Sequence, residues 1–474
     1  MGYGPGGVGN IAAPEPSCPP PRRITIGATR RDFLAAAGLG AAGLVLPGAA
    51  AHAAPTAASP RAVPYRAGQW LPSDEAVLDR WLRRTIREAA RTGAPLHPVM
   101  RDLRNLIESD AVLFMRFHRM FEQVPDTPRF RRTPTGSPQV RNYVHMIELI
   151  NHVLTTAPVF NRTGLVGFPI NAILNWPMNT DAGINAFLDE RVNAHLMRIL
   201  NTWAGFLSSP ESAYVLSTHP RAGWFGRDAR AAMPGFARLY ECDPSAPHWG
   251  FASWDDFFTR RFRPGVRPVA APDDDAVIAN ACESAPLRIA RGVRAVDRFW
   301  LKGQPYSLRH MFDHDPIHTL FAGGTIYQAF LSALSYHRFH SPVNGTVASV
   351  RVIPGSYYAQ SPAAGWDPAS PNDSQRFITE VAARAVIVID ADDPRIGRMA
   401  FISVGMAEVS TNEVTVTAGQ RVRKGDQLGM FHFGGSTHCL VFQRGVRLRF
   451  DLHGQRPGLH SSNIPVNARL ATVR

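Results

Sequence analysis

Three short segments of this chain carry side chains that together could break a bond. Ser436 lies in Phe433-Gly434-Gly435-Ser436-Thr437-His438. A serine hydroxyl becomes a nucleophile when a base takes its proton, and the base works best when a carboxylate orients it. Tyr336-His337-Arg338-Phe339-His340-Ser341-Pro342-Val343-Asn344-Gly345 supplies two histidines three residues apart, ahead of a turn. Pro272-Asp273-Asp274-Asp275 supplies carboxylates ahead of Val277. Taken singly, Gly-Gly-Ser reads as a loop, a histidine as a core residue and an Asp run as a solvated turn. Taken together they offer acid, base and nucleophile. The paired glycines add backbone freedom, which lets a hydroxyl approach a neighbouring carbonyl.

The elements that must position these residues fall into two textures. After an Ala/Pro-rich linker over 54–68, Ser73 can cap a helix in which Val77, Leu78, Trp81, Leu82 and Ile86 recur at helical spacing, with Gly93 as its stop. Further amphipathic stretches run near 99–123, 138–155 and 182–207, which predicts a helical accessory domain over 69–240. From about 245 to 474 short β-rich runs alternate with turns: Val277-Ile278, Gly345 to Val350, Ala385 to Asp390, and Val414-Thr415-Val416. The fold class is α+β, the second half holding a mostly antiparallel sheet. Ser436 stands between apolar runs, Leu428 to Phe433 and Cys439 to Phe442, so its loop is held between elements. No glycine-rich phosphate loop follows a strand, which removes nucleotide folds.

The formal net charge is +13, yet all but two of the 51 basic residues are arginine, the lysines being Lys302 and Lys424. A general lysine-to-arginine bias needs no functional cause. The balance still favours anionic surfaces such as phospholipid head groups. No basic run interleaved with aromatics forms a nucleic-acid platform, and nucleic acid is excluded as a partner. Thr29-Arg30-Arg31-Asp32-Phe33-Leu34, a weakly apolar stretch to Ala50 and then Ala51-His52-Ala53 resemble a twin-arginine export signal over 1–53. The expected location is periplasmic or otherwise extracytoplasmic, with membrane association. Cys18, Cys242, Cys282 and Cys439 make no disulfide framework and no zinc spacing.

Rival chemistries leave different traces. A serine hydrolase also uses Asp, His and Ser in this chain order, but Ser436 has no glycine two residues later to form the usual elbow. A pyridoxal-phosphate enzyme needs an imine-forming lysine, and neither Lys302 nor Lys424 has a phosphate-binding context. His310, His314 and His318 recur every four residues, a metal-like spacing that Pro316 interrupts, so no metal is assigned. A non-catalytic scaffold is the remaining alternative.

The three segments, in this order, resemble the phosphatidylserine decarboxylase family. Its Pro-x-Asp-Gly turn, Tyr-His-Arg-x-His-x-Pro-x-x-Gly segment and Gly-Ser-Thr cleavage site are matched at 272–275, 336–345 and 435–437. Phe257-Phe258-Thr259-Arg260 and Arg267-Pro268 are similar to the family's lead-in, and the resemblance spans roughly 245–460. Two positions depart from it. The glycine after the motif aspartate is Asp275, which leaves Asp273, Asp274 and Asp275 as candidates, with the alignment favouring Asp274. The leucine usual before the cleavage-site glycine is Gly434.

The resemblance implies that Asp274 orients His340, that His340 deprotonates Ser436, and that the Gly435–Ser436 bond is cut. Ser436 would become a pyruvoyl group, the enzyme's cofactor, heading a small chain 436–474 that stays associated with the large one. His337 would be the proton donor in turnover. It further implies a carboxy-lyase acting on phosphatidylserine to give phosphatidylethanolamine, with peripheral membrane contact and a homodimer. The helical region resembles the accessory domain of a branch that includes fungal L-tryptophan decarboxylases, so the alternative substrate is a free L-amino acid such as tryptophan.

Overall fold

The computed structural model describes residues 75–124, 140, 142–161, 168–174, 177–297, 306–332, 334–361, 374–408, 411–432 and 436–474. The expected export signal, the linker, Ser73, Lys302, Gly434 and Gly435 lie outside the described residues.

Helices occupy the first half. Glu75–Thr92 ends where Gly93 adopts a φ of 54°, a left-handed stop that suits glycine. The single stretch expected near 99–123 is two helices, Pro98–Ser109 and Ala111–Glu122. Asp110 divides them: its carboxylate accepts from the Val112 and Leu113 amides at 2.9 Å, capping the second helix where the first stops. Tyr143–Val153 and Glu190–Leu207 follow, the latter burying Val192, Leu196, Ile199, Leu200, Trp203 and Leu207 at helical spacing. Among the described residues no helix is long and apolar enough to cross a membrane.

The second half is built of strands: β1 (Val277–Ala279), β2 (Ala285–Arg291), β3 (Thr325–Leu331), β4 (Arg338–His340), β5 (Gly345–Ile353), β6 (Arg384–Ala391), β7 (Arg398–Gly405), β8 (Thr411–Val414), β9 (Arg421–Val422), β10 (Gln427–His432), β11 (Ser436–Phe442), β12 (Leu448–Phe450) and β13 (Arg469–Val473). A seven-stranded sheet runs β2-β3-β11-β7-β6-β5-β9, flanked by the three-stranded sheets β1-β13-β12 and β4-β10-β8. Every pairing between these strands is antiparallel, so the chain is α+β as its patterning indicates.

The strand β11 is central, and all seven of its residues are buried. It begins at Ser436, earlier than the apolar run at Cys439 suggests, because Ser436 pairs with Leu331 on one side and Gly405 on the other. The two halves share packing. Tyr336, Tyr357, Tyr358, Ala383, Ala407 and Val466 from the strand-rich half belong to the apolar cluster of the helices. The Asn193 side chain in Glu190–Leu207 accepts from the Tyr357 amide at 3.2 Å.

Candidate active site

Two connections in sequence join the seven-stranded sheet to the β4-β10-β8 sheet. The chain passes from β7 to β8 through 406–410 and from β10 to β11 through 433–435. Their ends are paired, Gly405 with Ser436 in the large sheet and Thr411 with His432 in the small one. The segment before Ser436 is therefore bracketed by two anchored strands.

Ser436 is fully buried, and its Oγ has no hydrogen-bond partner among the described residues. Burying an unpaired hydroxyl costs on the order of 1–3 kcal/mol, so such a group calls for an explanation. Strand alternation puts His438 on the same face as Ser436, and cross-strand pairing adds Ser403 and Tyr327. Ser403 Oγ, the Tyr327 hydroxyl and both His438 ring nitrogens are likewise buried without partners among the described residues. Burial pushes the His438 pKa down to about 3, so its ring is neutral.

His337 and His340 come from one β-ribbon. Strand β4 pairs with β10 so that His340 faces Gln427, while the Phe431 amide donates to the His337 carbonyl at 2.8 Å. Since β10 leads to Ser436, His337 stands at the near end of the ribbon and His340 at the far end. The His337 ring stacks on Phe258, centroids 3.8 Å apart and 20° between planes. That places Phe257-Phe258-Thr259-Arg260 beneath it. Arg260 is buried and donates to the carbonyls of Leu334 at 2.7 Å and Ser335 at 2.8 Å, fixing the turn that delivers His337.

The Asp274–His340 pair expected from sequence is not formed. His340 Nδ1 lies 2.8 Å from the Gly425 carbonyl, and its Nε2 lies 2.9 Å from the Tyr336 hydroxyl. Asp274 is exposed; its carboxylate takes the Ala276 amide at 3.1 Å, and its backbone carbonyl takes Lys424 Nζ at 2.8 Å. Asp275 accepts from Asn344 Nδ2 at 2.6 Å, while Asp273 is exposed. The acidic turn and His340 are thus tied to the same Lys424-Gly425 turn, by separate bonds. Burial lowers the His340 pKa to about 4. The structure also leaves His340 and Ser436 unjoined by any hydrogen bond.

Other residues emerge only in three dimensions. His432, at the end of β10, is held by Asp255 at 2.9 Å on Nδ1 and by Glu413 at 3.0 Å on Nε2. Burial opposes charge on this ring, but the two carboxylates outweigh it and raise its pKa. Glu408 is buried on the 406–410 connection. A cavity of about 240 Å3, lined in part by Phe236, Tyr240, Arg267, Ser332, Ser335 and Asn463, begins one residue beyond Leu331, the strand partner of Ser436. His310, His314 and His318 meet different partners, namely Glu380, Arg309 and the Asp315 carbonyl. Among the described residues no group of three potential metal ligands converges.

Similarity to known proteins agrees with this frame. Residues 97–233 and 254–457 match two family models, each described as phosphatidylserine decarboxylase. An L-tryptophan decarboxylase of Psilocybe cubensis is 35% identical over 420 residues, covering 83% of this chain and 92% of that protein. Decarboxylase iboD of Amanita muscaria is 45% identical over 296 residues, 58% of this chain and 84% of that protein. The phosphatidylserine decarboxylase proenzyme of Chlamydia pneumoniae is 30% identical over 247 residues, 50% of this chain and 77% of that protein. The molecule is a decarboxylase, a carboxy-lyase. It belongs to the phosphatidylserine decarboxylase family.

Proposed function

We propose that this chain cuts its own Gly435–Ser436 bond and, once matured, decarboxylates a free L-amino acid, with tryptophan the first candidate. The observation that carries the maturation is the buried Ser436 hydroxyl, without a partner among the described residues, heading an inner strand directly after two glycines in sequence. Ser436 Oγ adds to the Gly435 carbonyl, the C–N bond breaks and an ester forms. Elimination across Cα–Cβ of residue 436 then breaks the Cβ–Oγ bond and frees the Gly435 carboxylate. Hydrolysis of the resulting enamine releases ammonia and leaves a ketone at 436. A hydroxyl that is already buried needs no further desolvation to act.

The pyruvoyl group made in this way supplies an electron sink for the loss of CO2 from an α-amino carboxylate. The chain supplies position and protons. His340 is neutral, and its Nε2 lone pair makes it the base for maturation once the Tyr336 hydroxyl releases it. His337, nearer the strand that carries residue 436, handles the proton in turnover. Asp274 acts through its turn, holding Lys424 beside the Gly425 carbonyl that fixes His340.

A free amino acid is favoured by the span of similarity. The Psilocybe L-tryptophan decarboxylase aligns across both the helical and the strand-rich halves, whereas phosphatidylserine decarboxylase proenzymes align over 42–50% of the chain. The cavity beside Ser332 is walled by Phe236 and Tyr240 of the helical half, which suits an aromatic side chain. Phosphatidylserine is the competing substrate, favoured by the description of the matching family models.

The test is direct. Purified protein should run as two chains on a denaturing gel, and Ser436→Ala as one inactive chain. Tryptamine formed from L-tryptophan, with no phosphatidylethanolamine from phosphatidylserine vesicles, supports the reading. The reverse product pattern reverses the substrate, and a Ser436→Ala variant still cut at this bond overturns the maturation.

A further inference from the structure

Glu408 is an acid in an unusual place. It is 1% exposed, and its Oε1 accepts the Asn171 amide at 2.7 Å. Its Oε2 is buried with no hydrogen-bond partner among the described residues. It is not a remote residue. Gly405 faces Ser436 directly, and three residues of chain reach at most about 11 Å. The backbone does not run out straight, for Ala407 has a φ of 56°, a left-handed turn in a buried non-glycine residue. A strained residue beside a buried carboxyl is a combination found where function fixes geometry. The Tyr358 hydroxyl is also buried with no partner among the described residues, and burial first, then the nearby Glu408 charge, disfavour its ionisation.

The bond to Asn171 does not explain why an acid stands here. A glutamine would accept the same amide with its carbonyl oxygen and would carry no charge to bury. Burial raises the Glu408 pKa to about 8, against the pull of the neighbouring amides, so the side chain is neutral near pH 7. A cation facing the second oxygen would favour the charged form.

We propose that Glu408 is a catalytic residue: its carboxylate receives the ammonium of the amino-acid substrate and takes one proton from it before the amine meets residue 436. The step balances once the proton that Glu408 holds beforehand has passed to solvent as the ammonium enters. An N–H bond of the ammonium breaks, an O–H bond forms at Oε2, and the electron pair stays on nitrogen as the nucleophilic lone pair. An entering ammonium also supplies the missing counter-charge, so substrate binding is what ionises Glu408. This inference rests on the decarboxylation of a free amino acid argued above, and it adds the residue that recognises the amine. It also assigns a task to the helical half: Asn171 holds the other carboxyl oxygen.

Glu408→Gln keeps the Asn171 bond and removes the ionisation, so it tests the role without emptying the core. Three readouts are compared with the unsubstituted enzyme: cleavage at Gly435–Ser436, equilibrium binding of tryptamine, and binding of uncharged 3-ethylindole. The expected result is normal cleavage, tryptamine binding weakened at least 10-fold and 3-ethylindole binding within twofold, with kcat on tryptophan down at least 100-fold. Equal loss of both ligands makes Glu408 structural and overturns the proposal. So does tryptamine binding within twofold, or a chain that stays uncut. If the unsubstituted enzyme makes no tryptamine from tryptophan yet binds tryptamine through Glu408, the substrate reading falls and this one stands. If it binds none of tryptamine, phenethylamine or ethanolamine, this one falls.

Discussion

The Tyr336 hydroxyl donates to Nε2 of His340 across 2.9 Å, and that direction is fixed by the other side of the ring. A carbonyl only accepts, so the 2.8 Å contact with Gly425 requires the proton on Nδ1. The ring is therefore a neutral Nδ1–H tautomer whose basic nitrogen is occupied by a phenol. A donor to that nitrogen stabilises the neutral form. Tyr336→Phe in the uncleaved Ser436→Ala background should raise the His340 pKa from about 4. One hydrogen bond of about 1 kcal/mol corresponds to roughly 0.7 pH units. Proton NMR titration reads it, and an unmoved or lowered value would reject this tautomer.

The two histidines should separate in their effects. His340→Asn is expected to leave a full-length chain, because it removes the proposed maturation base. His337→Asn is expected to be cut and then to decarboxylate at least 100-fold more slowly. Gel mobility and amine release measured on the same preparations decide the matter. An uncut His337→Asn with a normally cut His340→Asn would exchange the roles, an outcome the ribbon register makes worth checking, since His337 is at the near end.

His432 closes the strand before residues 433–435, and doubly bonded imidazolium is its best-satisfied form. His432→Gln should slow cleavage by roughly 10-fold, since a neutral amide satisfies the two carboxylates poorly. In the unsubstituted chain, loss of the His432 proton above its raised pKa should also slow cleavage as pH rises, on top of any change from the base. A cleavage time course at several pH values tests this; an unchanged rate in the variant would leave His432 with no part in holding the segment.

Stability should peak in mildly acidic solution. Burial raises Glu380 and Glu408 to about 8, so between pH 4.5 and 8 the folded chain keeps protons that the unfolded chain releases. Their contribution is full below 4.5 and is lost as pH rises towards 8. Burial lowers His340 to about 4 and His438 to about 3, so their contribution is full above 6.5 and is lost as pH falls. Each group contributes a slope of about 1.4 kcal/mol per pH unit in its window. The slopes oppose one another between 4.5 and 6.5; above 6.5 the acids act together with His432, whose raised pKa likewise loses stability as pH rises. Urea unfolding of Ser436→Ala should therefore give lower stability at pH 7.5 than at 5.5, and Glu380→Gln with Glu408→Gln should flatten that limb.

Ser436, His337 and His340 stand out in sequence as candidates because their signals are local: each sits in a short run whose spacing alone suggests chemistry. The helices were legible through apolar periodicity, which passes unbroken through Asp110; the break there is readable only as a capping residue. Other features depend on tertiary pairing. Gly-Gly-Ser looks like a loop, and Ser436 becomes a strand residue only because Leu331 and Gly405 flank it. Thr415 and Val416 have strand-like side chains, yet β8 stops at Val414. Glu408 reads as an interruption in an apolar run, and its partner Asn171 is 237 positions away. Asp255 and His432 meet across 177 positions. No spacing rule reaches that far.

The central position of β11 sets the conditions under which this enzyme can be rebuilt. If the chain is cut before Ser436, the small fragment keeps β11 between β3 and β7 and β13 between β1 and β12, so it is stitched into two sheets at once. It cannot leave without unzipping both, which makes the mature pair long-lived. Once unzipped, it has to find its slot as a separate molecule, with concentration now governing what chain connectivity had guaranteed. The uncut precursor should regain its structure after denaturant is removed, and the mature enzyme should not. Cutting thus turns a reversible fold into one with a memory of how it was made.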